Sequence, residues 1–420
     1  TRVSANAVWN DVSRNPPITD TPRILYGNMD NLLSSSGTLF PASVASFELE
    51  ANAPVTYNYS LGVQKDIGWG TVVDIAYVGS QSRHLQQARN INALPYGTNF
   101  LKASQDATRY PGGIVPDAQT GLRADYVAAG LKFNGATVLP ADFLRPYAGY
   151  TNITYFENAG TANYNGLQVA LNRRFTRGVQ FGIAYTYSKT MDYADDDRST
   201  VATYRPLRIW NYGRAGFDQT HVFVLNYTWD LPRASNLMNN IVVKSLFDNW
   251  QLSGLTAFAS GTPSGVGFST VDGVDITGGG DGARIVLTGN PLLDRGSRKN
   301  AQLSNGLIST PVWFNTSVFA RPTPGNFGNA PKDVFRLPGT ANFDLSLFKN
   351  IPLGNERRYL QFRWELYNVF NHTQWSGVNS TAQFSAPDAN GVVTQTNPNF
   401  GLVTAAREPR YMQLSLRLTF

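Results

Sequence analysis

Cysteine is absent from all 420 residues. Disulfide scaffolds, thiolate metal sites and CxxC redox centres are therefore excluded. Charge is scarce: Asp, Glu, Lys and Arg make up 15% of the chain, while aromatics reach 12%, which is not the composition of a disordered polymer. No run of about 18 apolar residues occurs, so no helix is long and greasy enough to span a bilayer. The mean hydropathy of −0.25 is likewise too polar for a bundle of membrane helices. The 38 Gly and 23 Pro follow no three-residue period, which excludes collagen. A net charge of +6 is spread along the chain without a basic stripe that would track phosphates, so no nucleic-acid partner is expected.

Period-two alternation is what the sequence has in quantity. At the C-terminus Met412, Leu414, Leu416, Leu418 and Phe420 share one face, and Gln413, Ser415, Arg417 and Thr419 share the other. Eight further segments repeat the pattern, including Tyr57 to Val63, Thr71 to Tyr77, Leu167 to Leu171, Phe181 to Tyr187 and Phe223 to Trp229. Trp250 to Phe258, Phe343 to Leu347 and Leu360 to Leu366 complete the set. No Asp, Glu, Lys or Arg stands on any of the nine apolar faces. The cost of charge in hydrocarbon would impose that exclusion.

A soluble β-sandwich also alternates, and three features separate it from a membrane barrel. The segments run roughly 10–13 residues, beyond the usual globular strand of about 5–6 and close to the 9–11 a tilted transmembrane strand needs. Aromatics gather near strand ends, as Tyr57, Tyr59, Tyr185, Tyr187, Trp229, Trp250 and Phe420 do, which suits a girdle at the water–lipid boundary. With strands at 55–64, 70–79, 163–175, 179–189, 219–230, 249–260, 341–350, 358–370 and 410–420, short and long connections alternate throughout. That is the pattern of short periplasmic turns and long extracellular loops. The expected fold is all-β, a transmembrane antiparallel β-barrel spanning 55–420, with long loops at 80–162, 190–218, 261–340 and 371–409. An odd strand count, the start at Thr1-Arg2-Val3 and the lack of a signal segment predict the C-terminal part of a longer protein, with 1–54 an extracellular loop region.

The stretch Phe362-Arg363-Trp364-Glu365-Leu366-Tyr367-Asn368-Val369-Phe370-Asn371-His372 resembles the penultimate strand of TonB-dependent receptors, specifically the Oar-like group. Tyr164-Asn165-Gly166-Leu167-Gln168, Arg173-Arg174-Phe175, Tyr185-Thr186-Tyr187-Ser188-Lys189, Gly261-Thr262-Pro263 and Asp344-Leu345-Ser346-Leu347-Phe348-Lys349-Asn350 are similar to that group in the same order. The resemblance covers nearly all of the chain from about residue 55. It implies a 22-stranded barrel with an N-terminal plug and coupling to TonB through that plug, which this sequence lacks. It also implies that the terminal aromatic, Phe420, is the signal for the barrel-assembly machinery.

Each candidate site has a plainer reading beside it. Asp192, Asp195, Asp196 and Asp197 offer oxygens for calcium, but no EF-hand spacing is present, and a solvated loop is the alternative. Gly278-Gly279-Gly280-Asp281-Gly282 lacks the Lys-Ser/Thr of a phosphate loop and reads as a flexible loop. Arg363 and Glu365 face away from lipid and would either contact a solute or pair with neighbouring strands; Asp344 and Arg417 are similar cases. Trp210, Tyr212, Trp313 and Trp375 would stack on sugars or peptides, or pack loops together. His84, His221 and His372 are too scattered to suggest zinc, and Gly261-Thr262-Pro263-Ser264-Gly265 misses the register of a nucleophile elbow. No enzyme activity and no cofactor are expected. The expected function is outer-membrane import of a large nutrient: an oligosaccharide, a peptide or a metal chelate. Its expected partners are lipid and an extracellular solute. A non-transporting adhesin or secretion-related barrel is the alternative, followed by a soluble secreted β-protein that binds polymers.

Overall fold

A computed structural model of the chain describes residues 2–5, 8–11, 42–101, 104, 141–147, 150–202, 207–238, 240–302, 309–353 and 355–420. Nine long strands carry the architecture: β1 (Val55–Gly68), β2 (Thr71–Asn90), β3 (Tyr150–Thr176), β4 (Val179–Asp192), β5 (His221–Asp230), β6 (Trp250–Ala259), β7 (Thr340–Leu353), β8 (Asn355–Tyr367) and β9 (Tyr411–Thr419). Each pairs antiparallel with the next in chain order, so the sheet is a single meander. Among the described residues no pairing joins β9 back to β1.

Register follows from the alternating faces. Phe181, Tyr227, Gly254 and Leu345 lie in one row across β4 to β7, and Phe362 opposite Leu416 continues the apolar face across β8 and β9. A slip of one residue would turn Gln, Ser and Asp toward this face. The face is uncovered by protein: Leu61 is 76% exposed, Leu416 is 65% exposed, and Tyr77, Leu167, Trp229 and Trp364 are exposed as well. In water that surface would demand a partner; in hydrocarbon it already has one. No helix among the described residues is long and apolar enough to cross a membrane.

Two hairpins show how tightly the periplasmic turns are made. Trp69-Gly70 joins β1 to β2, and Arg177-Gly178 joins β3 to β4; all four residues have positive φ. Positive φ at both central positions makes the turn twist with its strands. On the outer face, Gly79 lies opposite Tyr59, and a Cβ there would stand 2.0 Å from the Tyr59 ring. The glycine lets the ring lie flat across the neighbouring strand.

The structure differs from the sequence-based expectation in two respects, and the first concerns the 80–162 loop. β2 continues to Asn90 and β3 already begins at Tyr150, so both strands project far past the apolar belt. Above the membrane both faces of a strand are wet, so the alternation that betrays it is lost. Ala42–Phe47 pairs in parallel with this upper part of β3, and Arg2–Ala5 pairs with Ala42–Phe47.

The second difference is a folded cap. The β6–β7 and β8–β9 connections share a hydrophobic core of Val266, Ile285, Phe314, Phe319, Phe335, Ala382, Phe384 and Phe400, with neighbours. Ile285, Phe314 and Ala382 are at most 1% exposed. A parallel pair, Gly267–Thr270 with Thr381–Phe384, stitches the two connections. The core of this molecule lies above the barrel wall, not inside it.

Candidate functional site

The cap opens into a cleft of about 620 Å³ at the extracellular ends of β7 and β8. Trp313 and Trp375 line it, together with Arg298, Asn300, His372 and Gln374. Trp313 is held in place from behind: its indole N–H donates to the Arg336 carbonyl at 2.6 Å. The Arg298 guanidinium carbon stands 3.6 Å from the centre of the Trp313 ring, a cation–π stack that leaves one flat, positively edged wall. Trp375 begins a short strand, Trp375–Val378, paired to Val403–Ala406. Gln374 is buried, donating to Asn342 Oδ1 at 3.0 Å while its own Oε1 accepts from the Ala341 amide at 3.3 Å. Two indoles and a guanidinium supply flat apolar surface and donors, the chemistry that grips sugar rings, aromatic rings or anionic groups.

The other two loop aromatics lie elsewhere. Trp210 is buried beneath Arg284, whose guanidinium carbon is 4.2 Å from the ring centre and whose Nη2 donates to the Trp210 carbonyl at 2.6 Å. Burial pulls the Arg284 pKa below the ordinary arginine value. The Tyr212 hydroxyl accepts from Asn163 Nδ2 at 2.6 Å, and its ring meets Tyr193 edge-on. Both fasten the loop after β4 to its neighbours.

Asp192 and Asp195 converge on one cation from the chain itself. Lys332 Nζ lies 2.7 Å from Asp192 Oδ1 and 3.1 Å from Asp195 Oδ1. Its ammonium stands where a bridging metal would stand. Burial opposes ionisation of Asp195, but the Gly216 amide and Lys332 outweigh it and hold its pKa below the ordinary carboxylate range. Asp196 and Asp197 are exposed. Among the described residues no three His, Asp or Glu side chains form a metal ligand set. A second bridge sits beside the first: Arg336 Nη2 bonds Asp218 Oδ2 and Thr220 Oγ1, both at 2.6 Å, and Nη1 donates to the Gly261 carbonyl at 2.8 Å. Sequence reasoning missed Lys332, Arg336 and Arg298, because each acts on residues distant in the chain and no local pattern marks it.

The glycine run is also packed where a flexible loop was expected. A Cβ on Gly278 would meet the Phe100 ring at 2.7 Å, and the Gly280 amide donates to the Leu94 carbonyl at 2.9 Å. Small residues let the 91–100 segment close over the cap.

Lower down, Arg363 Nε donates to Gln361 Oε1 at 2.8 Å, and its guanidinium carbon lies 5.2 Å from the Phe348 ring centre. Glu365 stands opposite Ser346 and Gln413, and Asp344 Oδ1 accepts from the Asn368 amide at 3.0 Å. Arg363 and Glu365 line the polar inner wall, below the Trp313–Trp375 cleft and separate from it. Phe420 is 94% exposed at the other end.

A wall of strands with a lipid-facing exterior, a polar interior and a folded cap defines an outer-membrane β-barrel protein. The chain belongs to the outer membrane beta barrel domain family, matching it over residues 3–413. It is located in the bacterial outer membrane. Similar solved structures include the outer membrane transporter YddB from Escherichia coli, with 11% identity over 91% of this chain and 35% of that one, at a TM-score of 0.38. BauA, the ferric preacinetobactin receptor from Acinetobacter baumannii, shares 12% identity over 87% of this chain and 29% of its own, at 0.33. The ferripyoverdine receptor of Pseudomonas aeruginosa shares 10% over 87% and 27%, at 0.36. The chain spans about a third of the length of these proteins. No curated protein sequence matches it.

Proposed function

We propose that this chain is the solute-receiving part of a TonB-dependent receptor of the Oar-like group, importing a large nutrient such as an oligosaccharide, a peptide or a metal chelate. The observation that carries the reading is the cap: the connections on one side of the membrane are built into a core-bearing layer that holds Trp313, Trp375 and Arg298 around an open cleft. A barrel that served only as an anchor would have no need of an ordered, aromatic-lined mouth. The edges of β1 and β9, unpaired with each other among the described residues, fit a wall that further strands complete, since unpaired backbone is not tolerated in hydrocarbon. A plug and TonB would supply gating and energy, and the exposed Phe420 suits recognition by the barrel-assembly machinery.

The test is uptake by whole cells of fluorescent oligosaccharides, peptides and ferric chelates. One class is expected to enter cells that contain TonB, to stay bound outside when TonB is removed, and to lose both properties in the Trp313→Ala/Trp375→Ala variant. Binding that never becomes uptake, with or without TonB, would instead identify a surface adhesin.

A further inference from the structure

The connection between β5 and β6 is out of place. The other described periplasmic turns are the residue pairs 69–70 and 177–178, whereas this one runs from 231 to 249. It contains a helix, Ile241–Phe247, capped by the Asn240 side chain, which accepts from the Val242 amide at 2.8 Å. The helix and the turn before it carry oily side chains that are largely exposed. Leu237 is 90% exposed and Ile241 77%, and Met238, Val242, Leu246 and Phe247 are all more than half exposed. At 100° per residue, Ile241, Val242 and Leu246 fall on one side of the helix, and Lys244 lies on the opposite side.

Two bonds fix where this surface sits. Trp250 and Lys349 stand opposite one another in the β6–β7 ladder, two residues beyond the outward-facing pair Leu252 and Leu347 and on the same side of the sheet. The Trp250 indole N–H donates to the Leu246 carbonyl at 2.8 Å, and Lys349 Nζ donates to the Asp248 carbonyl at 2.7 Å. The Lys349 ammonium also stands 5.0 Å from the Trp250 ring centre. Both anchors reach the turn from the lipid side of the wall, not from the lumen. The exposed ionic side chains between Leu231 and Phe247 are Arg233 and Lys244, both cationic. Asp248 is turned inward, bound by the Ser235 amide and hydroxyl.

We propose that the helix Ile241–Phe247, with Leu237 and Met238 before it, lies in the periplasmic leaflet of the outer membrane as an interfacial element, with anionic phospholipid as its partner. The oily side continues the lipid-facing belt past Trp229 and Trp250, and Arg233 and Lys244 meet the phosphates at headgroup depth. This is the composition of a helix that rests in the plane of a membrane surface. A second copy of the chain or the lumen-side plug would be the occupant only if the surface faced water or the barrel interior, and the anchors put it on neither.

The absence of cysteine from this chain makes the test direct. Leu246→Cys in the whole protein is labelled with an environment-sensitive fluorophore and reconstituted into vesicles of phosphatidylethanolamine and phosphatidylglycerol. Leu416→Cys serves as the lipid-facing control, and Asp388→Cys, at an exposed position in the β8–β9 connection, as the water-facing one. The Leu246 label is expected to emit to the blue of the Asp388 label, to be quenched by brominated lipid as the Leu416 label is, and to resist aqueous iodide. Replacing phosphatidylglycerol by phosphatidylcholine is expected to shift the emission back toward red, and Arg233→Gln/Lys244→Gln is expected to abolish that lipid dependence. Iodide quenching equal to that at Asp388 would overturn the proposal. So would shielding from iodide without quenching by brominated lipid, which would mean that protein covers the helix.

Discussion

Arg336 is the side chain on which the cap's attachment turns. Its guanidinium reaches Asp218, Thr220 and Gly261, and the Asp218 side chain has no solvent exposure at all. Arg336→Met would leave that carboxylate only the more distant Arg214 Nη1, at 3.9 Å, so the cost is expected to stay below the about 3–5 kcal/mol of a fully broken buried pair. The expected outcome is faster amide exchange across 261–339 with the strands of the wall unchanged, read by exchange mass spectrometry. Lys332 supports the same seam through Asp192 and Asp195. Because the folded Asp195 pKa is depressed, its contribution is present above the ordinary carboxylate pKa and is lost as pH falls through the folded value. Protease cleavage at 213–218 is therefore expected to rise on acidification below the ordinary carboxylate range, and Asp195→Asn is expected to flatten that dependence. Of this seam the sequence displays only the acids. Lys332 is 137 residues from Asp195, and nothing local to either residue reveals the meeting.

At the scale of the element, the strands were legible because one physical rule governs them. Hydrocarbon on one side forbids charge at every second position, and the rule writes itself into Leu61, Phe181, Leu345, Trp364 and Leu416. It stops where the lipid stops, which is why Gln81 to Asn90 and Tyr150 to Ala162 continue as strand without any alternation to announce it. The same rule predicts an asymmetry within β9. Leu416→Arg places charge against acyl chains at a cost of about 2–4 kcal/mol near the bilayer midplane. Ser415→Arg, one residue away on the polar wall, is expected to cost far less. Urea titration of the protein refolded in vesicles should separate the two variants by their midpoints.

At the scale of the whole molecule, the cap is the part that pattern reading could not find. Phe314, Phe319, Phe335 and Phe400 belong to no period; they meet because two connections fold over each other. The Trp pair was visible as aromatics in loops, but not as neighbours across a cleft. Deleting residues 379–400 is expected to uncover Phe314 and Phe335, giving new dye-binding apolar surface and rapid proteolysis around 285–320, while the protein still fractionates with the outer membrane. A deletion that left the 261–339 segment resistant to protease would show that this segment holds itself together.

Because Gly267–Thr270 pairs with Thr381–Phe384, the outward-facing layer draws on two stretches of chain that must each be passed through the bilayer before they can meet. Its final shape is consequently the last thing to mature. Antibodies or phages that recognise that shape would report completed insertion, and grafting either stretch alone onto another barrel would carry its residues across without the surface they form together.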